Sequence, residues 1–162
     1  MAGVRPDGDG VRIDLERVEL DLVVRLCEGL ATRLRAGGDD AVIGRMAPDA
    51  SRGDAEADAE LRRLLRSELL EGRAERLVRL ATELRSWAPE GGRTGVRATL
   101  DPEAALALLQ GLNDVRLALG AQVGIERLER SELAPADPRA LTLELMDRLA
   151  GLQQGLLEVL GA

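Results

Sequence analysis

Leucine recurs along most of this chain at the spacing of an α-helix, and that pattern leaves few folds open. Val18, Leu22, Leu26, Leu30 and Leu34 repeat every four residues, with Val23 and Cys27 widening the stripe. A second series, Leu61, Leu64, Leu65, Leu69 and Leu70, resumes beyond Gly72 as Leu77, Val78, Leu80, Ala81 and Leu84. Leu108, Leu112, Val115, Leu119 and Val123 form another, and Leu141, Leu145, Leu149, Leu152, Leu156 and Leu160 the last. Apolar residues three and four apart share one face of a helix, so each series predicts an amphipathic helix with a buried ribbon. The boundary signals agree. Gly37-Gly38 closes the first helix, Asp54 with Glu56, Asp58 and Glu60 opens the second, and Asp101-Pro102 and Asp137-Pro138 open the last two. The expectation is a mainly α fold: a single-domain bundle of about five helices over residues 10–162, after a flexible N-terminus over residues 1–9. Residues 37–53 read as irregular.

Two short stretches depart from the helical pattern. Gly10-Val11-Arg12-Ile13-Asp14-Leu15 alternates apolar and polar residues, and Gly95-Val96-Arg97-Ala98-Thr99-Leu100 shares its Gly-Val-Arg-x-x-Leu outline. Each precedes an acidic residue and a helical series. They read either as a strand–helix unit used twice or as coincidence in a low-diversity sequence. As strands they would form a two-stranded β ribbon near residues 11–15 and 96–100. Val11, Ile13 and Leu15 would face one way, as would Val96, Ala98 and Leu100, and the ribbon would have to lie on helices to persist. Asp7-Gly8-Asp9-Gly10 has the opening of a calcium loop, but Val18 stands where the bidentate Glu is needed. It reads as a turn.

The residues that are missing limit the chemistry. The 162-residue chain has no His, Phe or Tyr, its 22 basic residues are all Arg, and Trp87 is its sole aromatic. Imidazole bases, Schiff-base lysines and phosphate-loop lysines are therefore excluded. Cys27, alone among apolar neighbours, reads as a packed small hydrophobe suited to a reducing compartment. The acids near Glu56, Asp58 and Glu60 read as helix capping and a solvated face rather than a metal site. No catalytic residue, metal or cofactor is assigned. The net charge of −7 opposes binding to nucleic acid and to anionic membranes. No apolar run reaches spanning length, and the polar start predicts no signal peptide; the expected location is cytoplasmic.

One helical segment carries a polar trio. In Leu112-Asn113-Asp114-Val115-Arg116-Leu117, the only asparagine of the chain stands beside an acid and an arginine. Leu109, Asn113, Arg116 and Gly120 follow along one edge of the helix, which sets Asn113 and Arg116 at a partly buried boundary. Asp114 lies a further step round, toward solvent or another arginine. Buried polar groups need partners, so the favoured reading is an interhelical clamp, with a small pocket or partner-binding patch as the functional one. Gly120 with Gly124, and Gly151 with Gly155, are spaced to let the last two long helices approach closely.

The run LNDVRLALGAQVGI, Leu112–Ile125, resembles the signature of an actinobacterial family, the domain of unknown function numbered two thousand and seventeen. Arg45-Met46-Ala47-Pro48-Asp49-Ala50 followed by Leu61-Arg62-Arg63 is similar to its second block. The chain departs from that pattern at Ser51, Leu61, Leu108 and Gln122. The resemblance implies a small cytoplasmic protein often encoded beside the ClpS adaptor of ATP-dependent proteolysis, with no activity to carry over. It adds Arg45, Asp49, Arg62 and Arg63 to the candidates Asn113, Asp114 and Arg116, and sets the Pro48-Asp49 loop near Arg116. The expected function is a non-enzymatic protein-interaction module linked to Clp-dependent proteolysis, its partner a Clp adaptor or protease component, with a homo-oligomer allowed. The alternative is a small-molecule binder or carboxylate-dependent enzyme in which Asp49, Asp114, Asn113 and Arg116 converge in one pocket.

Overall fold

A computed structural model describes residues 3–38, 40–47, 57–87 and 95–161. The chain opens with β1 (Gly3–Asp7) and β2 (Gly10–Glu16), followed by α1 (Arg17–Ala36), the short α2 (Ala41–Met46) and α3 (Ala57–Arg85). Next come β3 (Gly95–Leu100), α4 (Pro102–Val123), two 3₁₀ turns at Ile125–Arg127 and Arg130–Glu132, and α5 (Pro138–Leu160). The mainly α expectation holds, with five α-helices and a small sheet among the described residues.

The two alternating stretches are both strands. They pair antiparallel, with Val11 opposite Leu100, Ile13 opposite Ala98 and Leu15 opposite Val96. This register puts the apolar side chains of both strands on one face, where Val11, Ile13, Leu15, Val96 and Leu100 are buried against the helices. The ribbon has a third member. Gly3–Asp7, read from sequence as part of a flexible N-terminus, is β1 and pairs antiparallel with β2 through Val4 opposite Ile13. Gly8, with φ of 62°, turns the chain between them. Gly10 is needed for another reason: a Cβ there would collide with the backbone oxygen of Leu100, so only glycine lets β2 start this close to the end of β3.

The helices form where expected, but their buried faces do not follow the four-residue leucine repeats. A strict repeat of four advances about 40° per step on a helix of 3.6 residues per turn, so it winds roughly 160° round α1 by its end. Val18 accordingly lies 76% exposed, and Leu22 is exposed too. The core row runs in steps of three and four instead: Leu20, Val23, Cys27, Leu30 and Leu34, with Val24 and Ala31 beside it. In α5 the same drift leaves Leu141 71% exposed while Leu149 and Leu156 are buried.

Gly72 does not interrupt α3, which is one continuous helix, and a short helix arises at α2 in the stretch expected to be irregular. Asp40 caps α2 by accepting from the Ile43 N–H at 3.0 Å, and Val42, Ile43 and Met46 are buried. In α3 the core row is Leu70, Ala74, Leu77, Ala81 and Leu84. Leu61, Leu64, Leu65 and Leu69, expected inside, point outward. Continued toward the N-terminus, the inward row meets the half-buried Arg66, which donates to the Gly38 carbonyl. The proposed cap Asp54 and Glu56 lie outside the described residues.

Asp101 and Asp137 cap α4 and α5 as the Asp-Pro starts predict, accepting from the N–H of Ala104 at 2.7 Å and of Arg139 at 2.9 Å. Helix α1 packs chiefly on α3, while α4 is flanked by α5 and α2, and α5 reaches β1. Each fully buried aliphatic side chain in this core, such as Ile13, Leu20, Ile43 or Leu77, contributes about 1.5–3 kcal/mol of transfer free energy.

Candidate functional site

The site is organised by α4, whose residues face different neighbours at each step. Asp114 and Arg116 are two apart, hence about 200° apart round the helix axis, so they cannot serve one cluster. Asp114 turns toward α3 and is 6% exposed. There Arg73 Nη1 donates to its Oδ1 at 2.5 Å. Burial pushes the Asp114 carboxyl up from its ordinary value, against the opposing pull of Arg73 and Arg76. Its charge also reaches Cys27: burial first, then the negative charges of Asp114 and Glu28, push that thiol up to about 12. Cys27 is therefore an inert core thiol at neutral pH.

Arg116 turns toward α5. Its Nη1 donates to Gln153 Oε1 at 2.5 Å, and Gln153 is itself buried. The helix thus carries two polar clamps, one on each flank, where the sequence reading placed one. The amide in the Arg116 clamp belongs to Gln153. Asn113, expected at a partly buried boundary, is exposed and stands at the mouth of a cavity.

That cavity, of about 650 Å³, lies between α2, α4 and the turn that follows α4. Arg45 enters from α2, Asn113 and Arg116 from α4, and Arg127 from the Ile125–Arg127 turn. Leu117, Ala121, Ile125 and Met146 give it apolar lining, and Glu126 adds one carboxylate. Gly124 makes the arrangement. In the left-handed conformation, with φ of 67°, it ends α4 and sends the chain back so that Ile125 and Arg127 face the helix they have just left. Gly120 is pressed by the same turn: a Cβ there would sit 3.3 Å from both Ile125 Cγ2 and Met146 Cε. The expected interlock of small residues between α4 and α5 is thus limited to Gly120 against Met146. Gly155 instead closes on Val4 of β1, and Gly151 meets nothing nearby.

The charge balance of the cavity is unusual for this acidic protein. Elsewhere several guanidinium groups are matched to carboxylates, as in Arg33 with Asp40, Arg35 with Glu71, Arg130 with Asp147 and Arg139 with Asp137. Among the described residues no carboxylate is bound to Arg45, Arg116 or Arg127, although Glu126 lines the same cavity. The field of Arg116 does reach Asp147, but both oxygens of that carboxylate are held by Arg130 at 2.9 Å. The Nε of Arg116 is buried without an acceptor.

The structure therefore gathers Arg45, Asn113 and Arg116, and separates Asp114, Arg62 and Arg63 from them. Asp114 is on the far flank of α4. Arg63 binds Glu60 on the surface at 2.7 Å, and Arg62, half-buried on α3, does not line the cavity. Asp49, with its proposed proximity to Arg116, lies outside the described residues. Arg127 went unnoticed in the sequence, although a glycine followed by Ile-Glu-Arg after a long helix is the signal of a chain turning back on itself. The carboxylate-dependent alternative required Asp114 in the same pocket as Arg116, and the geometry puts them on opposite flanks.

Among the described residues no helix is long and apolar enough to cross a membrane, and no cluster of His, Cys, Asp or Glu is arranged to hold a metal ion. No curated protein and no solved structure matches the chain. The family model for the domain of unknown function DUF2017 matches residues 1–160, and the chain belongs to that family.

Proposed function

We propose that this protein is a non-enzymatic recognition module that captures an acidic group of a protein partner in the cavity beside α4. The observation that carries this reading is that Arg45, Arg116 and Arg127 line one concavity with a single acid, Glu126, and that among the described residues none of the three is bound to a carboxylate. A guanidinium recognises a carboxylate through paired N–H donors, and it does so most strongly where one wall of the site excludes water. The clamp to Gln153 holds Arg116 in place, which lowers the cost of ordering it when the partner arrives. The absence of histidine and the burial of Cys27 support binding rather than catalysis. The resemblance noted from sequence points to a partner within cytoplasmic Clp-dependent proteolysis, either the adaptor or a protease component.

Affinity purification followed by mass spectrometry tests this, with wild type set against Arg45→Glu and Arg127→Glu. Both arginines are exposed, so neither reversal disturbs the core. Recovery of Clp components by wild type, lost in both variants, is the expected result. Equal recovery by all three proteins, or no specific recovery by any, overturns the reading.

A further inference from the structure

We infer that the group this cavity takes is an aliphatic carboxylate: a carboxylate with a branched or straight apolar chain next to it. The inference rests on the reading just given and narrows it. The polar lining presents the guanidinium groups of Arg45, Arg116 and Arg127, which outnumber its single acid, Glu126. The apolar lining, Leu117, Ile125 and Met146, has nothing to offer a bare inorganic anion. A ligand that used both would be an anion with an apolar substituent. Its free volume of about 650 Å³ suits a group of a few to some tens of heavy atoms.

The chemistry of the lining separates this ligand from other anions. No aromatic side chain enters the cavity, so a nucleotide would find no surface on which to stack its base. Gln153 accepts from Arg116 Nη1 and fixes that guanidinium in the lining, beside those of Arg45 and Arg127. Planar guanidinium donors in this number match a carboxylate. Asn113 at the mouth can both donate and accept, as the amide bond next to a chain-terminal carboxylate would require. Two sources share this chemistry: the C-terminal residue of a protein chain, and a free aliphatic acid.

Titration calorimetry on the full chain distinguishes them. The probes are a pentapeptide ending in leucine, the same peptide as its C-terminal amide, 4-methylpentanoate, and sodium phosphate. The expected result is binding of the free peptide, weakened at least about tenfold by amidation and by Arg127→Ala. Arg116→Ala should abolish binding, but it also breaks the Gln153 clamp; Arg127, exposed and bonded to none of the described side chains, provides the variant whose folding is not in question. Binding of 4-methylpentanoate but not of the peptide upholds the carboxylate inference and overturns the protein partner. Binding of phosphate alone overturns the inference while leaving an acidic partner group in place. An amide that binds as well as the free acid overturns it equally, and silence from every probe overturns both.

Discussion

Replacing Asp114 by alanine should destabilise the protein by about 3 kcal/mol, and the structure says why the figure is this large. The Asp114 side chain is 8% exposed and Arg73 23% exposed, so the pair is removed from most of the screening that makes surface ion pairs weak. Alanine deletes a charge-assisted hydrogen bond, a contribution of about 1.5–3 kcal/mol, and strands a guanidinium whose Nε already lacks an acceptor. Breaking a buried pair from one side costs about 3–5 kcal/mol, and the residual water access of Arg73 sets this case at the lower end. For a chain of this size that corresponds to a fall of roughly 6–12 °C in Tm. Removing both partners is different, because no charge is then left buried. The double variant Arg73→Leu/Asp114→Leu should return to within about 1 kcal/mol of wild type. Urea unfolding followed by far-UV circular dichroism, with Trp87 fluorescence as a second probe, gives all three stabilities. A loss below about 1 kcal/mol for Asp114→Ala, or a double variant no more stable than the single one, would refute the argument that α3 and α4 are joined by a dry ion pair.

Three further outcomes follow from the titratable groups. Asp137 is held down to about 2 by the side chain and backbone N–H of Arg139, so its contribution is present above the ordinary value of 3.8 and is lost as the pH falls toward 2. The Tm deficit of Asp137→Asn at neutral pH should therefore shrink through that interval, and a deficit that stays constant down to the lower limit contradicts it. Asp114 works in the opposite sense: its raised value means that the folded state loses stability as the pH climbs above 3.8 through the titration of the buried carboxyl. Cys27, fully buried with its thiol pushed up to about 12, should react with a thiol-specific disulfide reagent only as fast as the protein opens. Rapid labelling in buffer at neutral pH would show that α1 is not seated as described.

The sequence by itself determined the long helices. Periodicity of three and four, Asp-Pro starts and glycine ends were enough to locate α1, α4 and α5, because capping and amphipathicity act within one or two turns of chain. The alternation in 11–15 and 96–100 offered strands as one of two readings and said which side chains would then share a face; the pairing of β2 with β3 decided it. Tertiary structure decided the rest. It turned Leu61, Leu64, Leu65 and Leu69 outward, since burial depends on where a neighbouring element lies and not on hydrophobicity alone. It added β1, whose Val4 had no signal until β2 and Gly155 stood beside it. Most of all, it sorted the polar trio of α4. Sequence could bring Asn113, Asp114 and Arg116 to one turn of one helix. Only the packing of α3, α5 and the turn after Gly124 could assign Asp114 to Arg73, Arg116 to Gln153 and Asn113 to an open cavity. A helix projects adjacent side chains at wide angles, and the partner at the end of each direction comes from a distant part of the chain.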